Sequence, residues 1–185
     1  MCDECQDAWP ESLARRRLLV SSAAAIAGVL FARASRATEP RALTFYHTHT
    51  GERLRVTYAV NGRYLPDALD EIDHFLRDFR TGDVHRMDPR LLDILYELRL
   101  RAGGRGTYEI ISAYRSPKTN EMLRARSNGV AKRSLHMEGK AMDVRLVGAP
   151  LHRLRDEALA LEAGGVGYYP DDRFIHVDTG RVRRW

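Results

Sequence analysis

Two segments of the chain hold residue types that could do chemistry. Ser134-Leu-His136-Met-Glu-Gly139-Lys-Ala141-Met-Asp143 sets a His and an Asp seven positions apart around a glycine, and Phe174-Ile-His176-Val-Asp178 brings a second His later. Two imidazoles and one carboxylate are three metal ligands, which leaves a tetrahedral fourth position for water, the mark of a catalytic rather than a structural zinc site. Zinc in such a site polarises a carbonyl and acidifies its water, so the chemistry predicted is hydrolysis. Either His by itself reads as an ordinary half-buried, hydrogen-bonded side chain, and a His-x6-Asp spacing alone is weak. The context strengthens it. Gly139 permits a tight turn between His136 and Asp143, and Ala141 leaves room beside a metal.

The elements that must carry these ligands can be read from periodicity. Ala141 to Leu146 alternates as a half-buried strand does. Arg173 to Asp178 is rich in aromatic and β-branched residues, and a period of two puts His176 and Asp178 on one face. Leu43 to Val60 gives one or two strands, and Asn61-Gly62 is a strong hairpin signal. Ala68, Leu69, Ile72, Phe75, Leu76 and Phe79 mark a helix over residues 66–80, opened by Pro66. Asp88-Pro89 starts another as N-cap and first-turn proline, and that helix runs to Gly103-Gly104. Thr107 to Ala113 reads as a strand, Lys118 to Arg126 as a short helix and Leu151 to Ala163 as the last helix. This order predicts an α+β fold rather than a βα repeat.

The first residues read as a targeting segment. Arg15-Arg16-Arg17-Leu18-Leu19 has the twin-arginine pattern, and Leu18 to Phe31 is an apolar run. Ser35-Arg-Ala37 supplies small residues for cleavage after Ala37. A membrane-spanning helix needs about twenty apolar residues, so a shorter run fits a signal core better than an anchor. The reading is therefore residues 1–37 as a twin-arginine signal and 38–185 as one domain of ordinary size. Both cysteines, Cys2 and Cys5, fall in the signal. They have no second pair to complete a zinc knuckle, and the exported domain would carry neither thiol nor disulfide. Discounting the signal leaves 25 basic and 21 acidic residues. Such a modest positive balance suits an anionic polymer. The basic residues are scattered among acids, with no nucleic-acid-binding motif, so no nucleic-acid partner is expected. Nor is stable membrane insertion expected once the signal is removed.

Taken together, the motifs resemble a known family. Ser-x-His-x3-Gly-x-Ala-x-Asp with a late His is similar to the zinc metallopeptidases that include D-Ala-D-Ala dipeptidases and carboxypeptidases and the hedgehog domain. The YcbK-like periplasmic murein endopeptidases match more closely. His49-Thr-Gly-Glu52, Asn61-Gly-Arg-Tyr-Leu-Pro66, Ser112-Ala-Tyr-Arg115-Ser116, Gly164-Gly-Val-Gly-Tyr-Tyr-Pro170 and Arg181-Val-Arg-Arg-Trp185 appear in that family's order, over roughly Leu43 to Trp185. The resemblance implies an antiparallel central sheet carrying the zinc and flanked by helices. It also implies His136, Asp143 and His176 as ligands of one Zn2+, and cleavage of peptidoglycan peptides in the periplasm. On the same scaffold the activity is either endopeptidase on cross-links or carboxypeptidase or dipeptidase on stem ends. A non-catalytic wall-binding module is a third alternative.

The remaining candidates follow from that resemblance together with position. Arg115 stands where related dipeptidases keep an arginine, for a substrate carboxylate or the oxyanion. Ser134 contacts a ligand or the substrate, or simply forms a turn. Tyr168 and Tyr169 line the cleft or pack beneath it. Related enzymes place their general base just before the last ligand, where this chain has Arg173 and Phe174. Asp178 is then the leading base, with a second possibility that it orients a ligand histidine.

Overall fold

The computed structural model describes residues 39–103, 106–127 and 129–185. The twin-arginine segment and the two cysteines lie outside the described residues. Residues 40–185 form one compact unit. Among the described residues no helix is long and apolar enough to cross a membrane.

Eight strands make one sheet in the order β3-β2-β1-β4-β5-β7-β6-β8. They are β1 (Arg41–His47), β2 (Arg53–Val60), β3 (Arg63–Tyr64), β4 (Tyr108–Ser112), β5 (Ala141–Leu146), β6 (Gly165–Tyr169), β7 (Phe174–Asp178) and β8 (Arg183–Arg184). Among the described residues the helices are α1 (Pro66–Phe75), α2 (Pro89–Arg101), α3 (Pro117–Arg126) and α4 (Leu151–Leu161), with a 3-10 turn at Leu135–Glu138. The α+β class holds, but the expected all-antiparallel sheet does not. β1 pairs parallel to β4, and β6 parallel to β8. β1 is joined to β4 through a hairpin and two helices, a long connection of the kind a parallel pair needs.

The hairpin signal at Asn61-Gly62 is realised, both residues having positive φ (51° and 74°), as a type I′ turn requires. Asp88 caps α2, its carboxylate accepting from the Arg90 amide, with Pro89 in the first turn. α1 stops earlier than its apolar spacing predicts, at Phe75. The cause is Asp78, whose carboxylate accepts from the amides of Arg80 and Ser116 and turns the chain away. Phe79 therefore leaves the helix and stacks on His49.

The core lies on one face of the sheet. Phe45, Tyr58, Tyr108, Ile110, Met142, Val144, Ile175 and Val177 meet Ile72, Leu91, Leu92, Leu95, Leu98 and Leu154 from the helices, all of them buried. Alternation along β5 and β7 then sends Asp143, His176 and Asp178 to the opposite face. That second face carries the chemistry.

Candidate metal centre

Each of the three expected ligands is delivered by a different local device. Ser134 N-caps the 3-10 turn, its hydroxyl accepting from the His136 amide, and Gly139 ends the turn at φ 65°. A Cβ on Gly139 would stand 2.2 Å from the Arg86 carbonyl oxygen, so the turn also needs glycine for space. Asp143 and His176 face each other directly across the antiparallel β5–β7 pair. All three side chains are buried.

Their atoms converge. His176 Nδ1 lies 2.9 Å from Asp143 Oδ1 and 3.3 Å from His136 Nε2, and His136 Nε2 lies 3.4 Å from Asp143 Oδ1. Ligands about 2.0–2.1 Å from a tetrahedral zinc ion stand about 3.3 Å apart, so the cluster has nearly the right span. The outer hydrogen bonds set the chemistry of the donor atoms. His136 Nδ1 sits 2.8 Å from the Ala113 carbonyl oxygen, which can only accept, so the proton is there and the Nε2 lone pair faces inward. His176 lies between two carboxylates, Nε2 3.0 Å from Asp178 Oδ2 and Nδ1 2.9 Å from Asp143 Oδ1, and with its proton on Nε2 the Nδ1 lone pair turns inward. With both imidazole protons on those outer nitrogens, three acceptors face one point, an arrangement suited to a cation. Among the described residues this is the one His/Cys/Asp/Glu cluster with metal-site spacing.

Charge in the cluster follows from the same contacts. Burial disfavours the Asp143 anion, but the two histidines outweigh it and hold its pKa below the ordinary carboxylate range. Burial likewise pulls His176 down, while Asp143 and Asp178 together push it up. For Asp178, burial is outweighed by His176, Arg183 and two backbone amides, and its pKa also falls.

The cluster floors a cleft of about 420 Å³ whose walls include Arg115, Arg133, Ser134, Tyr169, Phe174, Arg183 and Trp185. Arg115 is fixed by its backbone, its amide donating to His136 O and the neighbouring Ser116 amide to Asp78. Its guanidinium makes only long contacts, to Asn120 Oδ1 at 3.4 Å and Ser112 Oγ at 3.5 Å. Among the described residues its buried Nε has no partner. Burial lowers the Arg115 pKa and the nearby Asp143 works against that.

Two expectations change here. Asp178 does not reach the cluster. Both its oxygens are engaged, by His176, Arg183 and the amides of Gly165 and Gly180, on the far side of the His176 ring. Its side chain is wholly buried, which matches the orienting alternative and leaves no lone pair for a proton from water. Tyr168 does not line the cleft either. It pairs with Ile175, on the helix face of the sheet, and Arg155 lies over its ring. Tyr169, one residue on, occupies the cleft wall, because a strand reverses face at each residue. Ser134 lines the cleft, and its observed hydrogen bond is the turn-capping one. Glu138 faces away, paired with Lys140.

Sequence reasoning missed Trp185, Arg183 and Phe174. Trp185 lies 5.1 Å from the His176 ring and donates from Nε1 to Tyr169 Oη at 2.7 Å. The repeated glycines at 165 and 167 were the available signal, since bare positions on a strand mark a close neighbour.

A mixed-sheet α+β domain brings two imidazoles and a carboxylate together at the floor of an open cleft, a set of groups that could hold one metal ion. The chain belongs to the Peptidase_M15_2 family, described as peptidoglycan L,D-endopeptidase MepK, whose model matches residues 35–185. It is 42% identical over 175 residues to the peptidoglycan L,D-endopeptidase MepK of Escherichia coli (strain K12), covering 92% of this chain and 96% of that one. It is 47% identical over 148 residues to the probable peptidoglycan L,D-endopeptidase MepK of Haemophilus influenzae, covering 80% of each. No solved structure matches the chain.

Proposed function

We propose that this protein is a zinc-dependent murein endopeptidase that hydrolyses L,D peptide cross-links of peptidoglycan. The observation that carries the metal half of this reading is the convergence of His136 Nε2, His176 Nδ1 and Asp143 Oδ1. Family membership and the printed activity of the relatives support the substrate half. They also favour cross-links over the trimming of stem ends.

Zinc, when bound by these three residues, supplies a Lewis acid for the scissile carbonyl and an acidified water for attack. The chain's own residues do the rest. Ala113 O and Asp178 hold the two imidazoles in the tautomers that present lone pairs. Arg115 reaches the cleft with no carboxylate partner and an unpartnered Nε, so it is available to an oxyanion or a substrate carboxylate. Tyr169 Oη already accepts from Trp185, which leaves its own O–H to donate into the cleft. Phe174, stacked on Tyr169, and Trp185 give the peptide an apolar wall.

Residues 1–37 are read as a twin-arginine signal and residues 38–185 as the peptidase domain, which places the activity in the periplasm. The test of function is muropeptide profiling. Purified zinc-loaded protein should convert L,D-cross-linked dimers to monomers, and His136→Ala protein should not. Dimers left intact while stem peptides shorten would refute the endopeptidase reading in favour of trimming.

A further inference from the structure

Strand β8 is only two residues long, yet it brings two side chains of the closing segment to the back of the ligand cluster. It pairs parallel to β6, Gly165 opposite Arg183. The Tyr168 amide donates to the Trp185 carbonyl and the Trp185 amide to Val166. From this position Arg183 forks onto Asp178, Nη1 to Oδ1 at 3.0 Å and Nη2 to Oδ2 at 2.7 Å. Asp178 Oδ1 also accepts from the amides of Gly165 (3.0 Å) and Gly180 (2.8 Å). The remaining direction of Oδ2 is used on His176 Nε2 at 3.0 Å.

The β6 sequence is cut to admit these side chains. A Cβ at Gly165 would fall 2.3 Å from Arg183 Nη1 and 2.4 Å from Asp178 Oδ2, and one at Gly167 would fall 2.7 Å from the Trp185 ring. Both glycines are on the face that carries His176, which pairs with Gly167. Their φ values are not in the positive region, so clearance and not backbone freedom is what glycine provides there.

We infer that β8 is a working part of the metal centre, with Arg183 the positioning residue that fixes Asp178, and through it His176, in the metal-accepting arrangement. This rests on the metal reading above and goes beyond it. Asp178 alone has a rotatable carboxylate; the fork and two amides leave it one orientation, with an oxygen aimed at His176 Nε2. A bidentate arginine gives geometry that a lysine point charge does not. Because docking of β8 helps set the His176 ring, ion binding and β8 docking are linked, and each strengthens the other.

The test uses the full chain and zinc alone, with affinity read by competition against a chromophoric chelator. Arg183→Met should weaken zinc binding about ten- to a hundredfold, the usual cost of losing an outer partner of a ligand histidine. Arg183→Lys should recover part of that loss, and turnover at saturating zinc should return toward the parent value. Folded Arg183→Met protein that keeps its affinity within about twofold, where about tenfold or more is expected, overturns the inference. The parent fold supplies a second measurement that needs no Arg183 variant. Trp185 and Trp9 are the two tryptophans, so in a Trp9→Phe chain the emission reports on Trp185 alone. Zinc should change that emission and raise amide protection at residues 183–185. Zinc binding with neither change also overturns it. Protein that binds zinc and shows the coupling but leaves peptidoglycan intact sinks the proposed function and not this inference, whereas protein that binds no zinc sinks both.

Discussion

Arg115 has the local chemistry of a group waiting for an anion. A guanidinium offers five donors in a fixed fork, yet here two make contacts at 3.4–3.5 Å and Nε is buried without a partner. The nearest negative charge, Asp143, belongs to the ligand set. A half-buried cation left so poorly satisfied costs stability. Arg115→Ala should therefore fold at least as stably as the parent and keep its zinc content. Its turnover should fall about a hundred- to a thousandfold, as when one oxyanion donor is removed. Metal content by mass spectrometry beside turnover checks this, and an active Arg115→Ala protein would remove Arg115 from the site. The convergence of His136, Asp143 and His176 was legible at this scale, because residue type, Gly139 and the strand period all pointed the same way. The role of Asp178 was not. Strand period correctly put it on the His176 face, but only the positions of Gly165, Gly180 and Arg183 show that its oxygens are already spent.

Among the elements, the β1–β2 turn has a side chain doing the work of a backbone. His47 is buried and its Nδ1 accepts from the amides of His49 (3.3 Å) and Thr50 (3.4 Å), closing the turn from inside. Burial, with the neighbouring His49 adding to it, pulls the His47 pKa down to about 4. The unfolded value is near 6.5, so the folded state holds His47 neutral where the unfolded chain would protonate. Its contribution is thus fully present above about pH 6.5 and is lost as the pH falls toward about 4. His47→Asn keeps an acceptor for the two amides and removes the titration. Urea unfolding of this variant should show a smaller loss of stability between those pH values than the parent, and equal slopes would refute the assignment. Most elements were legible from period and caps, including the Asn61-Gly62 hairpin and the Asp88-Pro89 helix start. What escaped depended on partners far away in sequence. β8 has no pattern of its own and exists by pairing with β6. α1 ends where Asp78 reaches the amide of Ser116, 38 residues on. The one-residue exchange of Tyr168 for Tyr169 turned on strand phase, which tyrosines at adjacent positions do not reveal.

At the scale of the whole molecule, the core and the helices α1, α2 and α4 pack on one face of the sheet, and the His136–Asp143–His176 cluster lies on the other. Export is tested by replacing Arg15 and Arg16 with Lys. A folded reporter joined to residues 1–37 should then stay in the cytoplasm, and unchanged export would refute the twin-arginine reading. A metal ion held by His136, Asp143 and His176 would tie the domain together across its sequence. Its three ligands sit on the 3-10 turn, β5 and β7, and β7 is packed on β6, which holds β8. His136 Nε2 and His176 Nδ1 stand 3.3 Å apart, with the Asp143 carboxylate beside them. An ion that binds only the folded chain stabilises it by mass action, about 2.7 kcal/mol at a free concentration a hundred times Kd. For a domain of this size that corresponds to a rise in Tm on the order of 10 °C. Calorimetry in chelator-buffered zinc should show Tm climbing with the logarithm of free zinc in the parent. In His176→Ala protein it should stay flat at the same concentrations, because loss of one ligand of three leaves no closed set around the ion. A parent Tm that ignores free zinc, or a His176→Ala protein that follows it as the parent does, would show that these three residues do not form the metal centre.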